Sequence, residues 1–234
     1  MANAYTTSTP VAYADETVRA NFLVKVYQHL ALAVVAFIGL ESVLFVTGIA
    51  ERMYTFLRGS QVGWLMILGG FMVANMIASR SATKLGDIKA QYVGLFAAAA
   101  AQAFIFAPFL YMVFNTDGQG SGTVASAAIV TLVGFAALSL VAFVTKKDLS
   151  FLRPIIMWGG IAALGLIVCA VIFSFPLGLL FSVAMVALAG ASILYQTQKI
   201  IRVYPEWAYV GAAVALFGSL MTLFWYVLRI FSRR

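Results

Sequence analysis

Seven apolar runs, separated by short polar connections, organise this chain: Val26–Ile49, Val62–Ala78, Gln91–Phe114, Thr123–Val144, Leu152–Phe173, Pro176–Tyr195 and Trp207–Phe231. A helix rises about 1.5 Å per residue and a bilayer core is about 30 Å thick, so each run has the length of a transmembrane helix. The pattern predicts an all-α membrane protein with seven transmembrane helices in one bundle. Between the third and fourth runs, Asn115–Gly122 has turn chemistry at nearly every position, and Ser174-Phe175-Pro176 joins the fifth and sixth as a tight helical hairpin. Small residues at Ala97–Ala101, Ala125–Ala128 and Ala187–Ala191 allow backbones to approach closely in lipid, which argues for a compact bundle. Pro108 and Pro154 are expected to kink or start their helices.

No internal repeat or long linker divides the chain. Residues 1–22 read as a polar, mobile cytoplasmic tail and 23–234 as one transmembrane domain. Asp15–Lys25 has the charges of an amphipathic, interfacial helix start. The tail lacks the basic-then-apolar order of a cleaved signal peptide, so the first helix is expected to target the chain to the membrane.

Composition agrees. The chain is 63% hydrophobic and 10% charged, against about 25% charged in soluble domains. The net charge of +7 does not indicate a nucleic-acid partner, because the basic residues sit in connections between apolar runs. The segment before the first run, the connections after the second and sixth runs, and the segment Lys146–Arg153 hold ten of the fifteen Lys and Arg. By the positive-inside rule the N-terminus is cytoplasmic and the C-terminus outside, with Arg229, Arg233 and Arg234 running against the trend. The expected location is the inner (plasma) membrane. A lone Cys169 excludes an intramolecular disulfide.

Ionisable residues inside spans are expensive, which makes them the default functional candidates. Glu41, in the middle of the first run, is the only carboxylate deep in a span. His29 is the only histidine and rules out a multi-histidine metal site; it is expected to be interfacial. Arg80 closes the second run and Gln102 lies within the third. Near Gln196 the sixth run turns from lipid-like to polar within one helical turn. Enzyme classes find no support. The four aspartates lie in the tail or connections, the last run holds no lysine, Gly218-Ser219 lacks the second glycine of a nucleophile turn, and no phosphate-binding loop appears. The reading is of a non-enzymatic protein without cofactor or metal.

The string Thr145-Lys146-Lys147-Asp148-Leu149-Ser150-Phe151-Leu152 resembles a signature of the Bax inhibitor-1 family of seven-helix membrane proteins, which includes bacterial YccA-like members. Val26-Tyr27 with Leu30, Ser192–Tyr195 leading into Thr197 and Ile200-Ile201, and Leu228-Arg229-Ile230 resemble other family segments, so the likeness covers about residues 20–231. Read physically, Lys146 and Lys147 anchor the cytoplasmic side, and Asp148 or Ser150 caps the next helix.

The resemblance implies six helices around a central seventh. It also implies a pH-sensitive carboxylate pair on the sixth and seventh helices, with an arginine from the second, as the basis of a calcium leak. Those positions fall here on Gln196, Ser219 and Arg80, and neither acid is present. A side chain that cannot ionise cannot make that sensor. The departure is similar to YccA-like members and implies a modulator of membrane-protein quality control acting through an FtsH-type AAA protease. The alternatives are a calcium or cation leak channel, with Glu41, His29, Arg80, Gln196 and Ser219 as the polar path, or a structural subunit of a larger membrane complex.

Overall fold

A computed structural model describes residues 10–59, 61–82, 84, 87–116, 120–145 and 147–233. Lys146, the connection residues 117–119 and the first nine residues of the expected tail lie outside the described residues. The chain forms α1 (Glu16–Val46), α2 (Ile49–Arg58), α3 (Gln61–Ala82), α4 (Ile88–Thr116), α5 (Gly120–Val144), α6 (Leu152–Ile172), α7 (Leu179–Val203) and α8 (Tyr209–Phe231). Among the described residues there is no strand, only an isolated bridge between Pro10 and Pro205.

Six of these helices, α1 and α4–α8, are long and apolar enough to cross a bilayer; in α3 the corresponding stretch is Leu68–Ala78. The inward faces are narrow stripes. On α1 the buried residues are Phe22, Val26, Leu30, Ala33, Phe37 and Glu41, spaced three or four apart, and on α5 they include Ala127, Thr131, Phe135 and Ser139. Such spacing turns one face of a helix to its neighbours and the rest to lipid. By contrast, 72% of the most apolar stretch of α8 is buried against 11% for α6, so α8 is interior and α6 peripheral. α8 packs against α1, α4, α5 and α7.

Four expectations change. α1 begins ten residues before Val26, because Phe22 continues its inward stripe. The described chain before it is built into the fold: Val11 is buried and its N–H donates to the Tyr204 carbonyl at 2.9 Å, so the expected free tail does not run to residue 22. The connection after the first run contains α2, a short amphipathic helix set off by Gly48, whose φ of 72° favours glycine. Finally, α7 continues past Tyr195 to Val203, because Thr197, Gln198 and Ile200 all face inward. Pro108 lies inside α4 and Pro154 in the first turn of α6.

Candidate functional site

The polar residues of the helices collect at four places. At one end of the bundle His29 ties three helices together. Its Nδ1 lies 2.7 Å from the Lys25 carbonyl and its Nε2 2.8 Å from the Tyr92 hydroxyl. A carbonyl only accepts, so in the neutral ring Nδ1 carries the proton and Nε2 accepts from Tyr92. The Tyr209 ring packs 4.9 Å from the imidazole and also receives the Lys25 ammonium, 5.5 Å from its centroid. His29 therefore joins α1, α4 and α8, which is a structural role.

The second place is the signature loop. Gln198 is buried on α7; its Oε1 accepts from the Leu149 N–H and its Nε2 donates to the Lys147 carbonyl, both at 2.7 Å. Asp148 Oδ1 accepts from the Ser150 N–H at 3.0 Å and the Ser150 hydroxyl at 2.7 Å. Those Ser150 hydrogen bonds, with Arg202 nearby, hold the Asp148 carboxyl below its usual range. Neither side chain caps α6 as expected, because the Leu149 and Ser150 carbonyls receive the first N–H groups of that helix. Lys147 and Asp148 are exposed.

The third place holds the expected latch positions. The Ser219 hydroxyl on α8 is 2.9 Å from the Ser192 hydroxyl on α7, forming a neutral bridge. The amide oxygen of Gln196 is buried without a hydrogen-bond partner, so Ser219 pairs with Ser192 and not with Gln196. Arg80 is exposed near the end of α3. At Thr197, the residue after Gln196, the buried hydroxyls of Tyr27, Ser139 and Thr197 face one another from α1, α5 and α7.

The fourth place is a cavity of about 520 Å³ between α1, α4, α5 and α8. Its walls are apolar, including Phe37, Phe45, Leu110 and Phe224, and its polar groups are Glu41, Ser42 and Thr131. Glu41 is only 7% exposed, and neither carboxylate oxygen has a hydrogen-bond partner. The Thr131 hydroxyl donates to the Ala127 carbonyl at 2.7 Å and the Ser42 hydroxyl to Ile38 at 2.9 Å. With their protons committed, these two oxygens are left as acceptors in the same cavity as the carboxyl group, oxygen ligands of the kind a hard cation takes. Among the described residues no group of three His, Cys, Asp or Glu side chains converges on one point, so the cavity offers one carboxyl and weaker oxygens.

Glu41 is thus a sequence candidate that the fold places in a cavity, and Gln102, buried on α4, lines a second one. Tyr27, Thr131, Ser139, Thr197 and Gln198 were not among the candidates; their signal was a polar residue on the inward stripe of a span, with Thr131 and Ser139 two turns apart on one face. The family model described as "Inhibitor of apoptosis-promoting Bax1" matches residues 19–234. Over 141 residues the chain is 34% identical to the uncharacterized protein PA2604 of Pseudomonas aeruginosa, a match covering 60% of this chain and 63% of that one. The matched region therefore spans somewhat less than two thirds of the relative's length.

Proposed function

The chain belongs to the Bax inhibitor-1 family, and on that premise we propose that it is a non-enzymatic membrane protein that lets cations, calcium first among them, cross the bilayer past Glu41. The observation that carries this reading is the Glu41 carboxyl, buried in an apolar cavity with both oxygens unpartnered. An unmatched carboxyl costs stability wherever it is buried, and inside a span it marks an ion or proton path. A single carboxyl with two hydroxyl oxygens binds weakly enough for a cation to leave again, as conduction requires.

In this reading seven helices cross an inner membrane, with α3 added to the six apolar ones, the N-terminus cytoplasmic and the C-terminus outside. The 22 residues of α3 span about 33 Å, which suits a bilayer core, and the distribution of Lys and Arg supports the orientation. The test is calcium flux into proteoliposomes. Wild type should admit calcium, and Glu41→Gln, which keeps the shape but not the charge, should reduce the rate at least about tenfold. Equal rates for the two proteins would remove Glu41 from the path.

A second reading, modulation of membrane-protein quality control through an FtsH-like protease, is favoured by the Ser192–Ser219 bridge, which gives α7 and α8 a neutral closure without a titratable latch. Because Val11 is docked on Tyr204, a handle for such a protease has to lie before Pro10 or be pulled free of α7. Recovery of the protease with this chain from native membranes would bring that reading forward; its absence from the purified material would count against it.

A further inference from the structure

A second cavity, of about 630 Å³, opens between α3, α4, α6, α7 and the last three turns of α8. It is separate from the Glu41 cavity and its chemistry is different. Most of its wall is apolar, with Phe109, Met112, Met185 and Trp225 among the lining residues, and the Trp225 ring packs edge-on to Phe106 at 4.9 Å. At one end stand Arg229, in the last turn of α8, and Arg233, in the turn that follows the helix. Both guanidinium groups donate to the same carbonyl, that of Leu177 in the α6–α7 hairpin, Arg229 at 3.3 Å.

Two like charges that share one acceptor repel each other, and one neutral carbonyl does not compensate them. Among the described residues the ion pairs are Lys84–Asp87 and Arg202–Asp148, so neither arginine has a carboxylate partner there. The titratable groups nearest Arg229 are Arg233 and the Tyr226 phenol, which is neutral near pH 7, and no carboxylate is among them. Arg229 is half-buried and Arg233 exposed, which places one guanidinium inside the cavity and the other at its mouth. Each retains N–H donors beyond the one given to Leu177, in the planar fork that matches a phosphate.

A site that is cationic at one end and apolar along its length selects a molecule with the complementary order. From this arrangement we infer that the cavity holds an acidic phospholipid, its phosphate between Arg229 and Arg233 and an acyl chain along the Phe109–Trp225 wall. The volume lies within the range of about 300–1,000 Å³ of ordinary ligand cavities. This inference does not depend on cation passage past Glu41.

Native mass spectrometry of the full chain, released from detergent in the presence of phosphatidylglycerol, phosphatidylcholine or inorganic phosphate, provides the test. Wild type should retain phosphatidylglycerol in preference to phosphatidylcholine, and excess inorganic phosphate should not displace it. Arg229→Gln with Arg233→Gln should lower retention at least about tenfold, while Arg58→Gln, at the exposed end of α2, should leave it unchanged. Equal retention by wild type and the double variant, or of the two lipids, would overturn the inference. Displacement by inorganic phosphate alone would assign the arginines to a free anion and overturn it as well. Because the arginines also hold the Leu177 carbonyl, the double variant has a structural route to failure. Met185→Trp fills the apolar wall and leaves both arginines in place, and it should also reduce retention of phosphatidylglycerol; unchanged retention there counts against the site.

Discussion

Replacing Gln198 with alanine should release the Lys147–Leu149 loop from α7 and destabilise the protein by about 2–4 kcal/mol. Gln198 is buried, and its amide satisfies one backbone donor and one backbone acceptor of that loop. Each bond contributes about 0.5–1.5 kcal/mol net, and stranding its backbone partner adds about 1–3 kcal/mol where water cannot replace the amide. Part of that second cost is relieved because the loop borders solvent. Glutamate at 198 keeps the acceptor for the Leu149 N–H but sets a second oxygen against the Lys147 carbonyl, so it should fall between wild type and alanine. Arg202→Ala is the control. Its contacts with the same loop, 3.4 Å to the Lys147 carbonyl and 3.8 Å to Asp148, are long and exposed, and their loss should cost less than about 1 kcal/mol. Thermal unfolding in one detergent ranks the three variants. Hydrogen exchange at the Leu149 amide reports whether the loop itself has been freed.

Phe106→Ala should be the most damaging core substitution, at about 3–5 kcal/mol. The ring is 1% exposed and meets Phe37 of α1 edge-on at 5.4 Å, stacks on Phe224 of α8 at 5.5 Å and receives Trp225 at 4.9 Å. Between helices in lipid this contact is packing and not water exclusion, so the loss is not recovered by solvating the gap. The position also divides the two cavities. Phe106 lines the one with the arginines, whereas Phe37 and Phe224 line the one with Glu41. A variant that remains folded should therefore conduct faster than wild type, because the ring no longer separates the two spaces. A melting temperature within a few degrees of wild type would contradict the packing account.

The helices were legible because an apolar run of bilayer length has few other solutions in lipid. Their ends were less so. The extension of α7 to Val203 depends on partners distant in sequence, the Lys147–Leu149 loop for Gln198 and Tyr27 and Ser139 around Thr197, and nothing local distinguishes those residues from a polar connection. The docking of Val11 depends on the Tyr204 carbonyl, 193 positions away, so no local pattern reveals it.

The candidate site divides in the same way. Glu41 stood out because a carboxyl inside a span is rare enough to notice. Ser219 was read through its motif position as the partner of Gln196, yet it pairs with Ser192, because inter-helix register is set by packing and not by spacing within one helix. For His29 the sequence does not show the tether between helices, since the tyrosines that hold it, Tyr92 and Tyr209, lie 63 and 180 positions away. The arginine cavity was hidden for a related reason. Arg229 and Arg233 read as charges at odds with the topology rule, and only the fold brings them onto the α6–α7 hairpin.

The central claim is that Glu41 offers its carboxyl to a passing cation. It is tested most directly by labelling Glu41 with a hydrophobic carbodiimide in liposomes, read by peptide mass spectrometry with and without calcium. The account predicts that Glu41 is modified and that calcium protects it, more strongly than the same ionic strength of potassium. Modification of Glu41 to the same extent at every calcium concentration would contradict it and leave the buried carboxyl without a cation to serve.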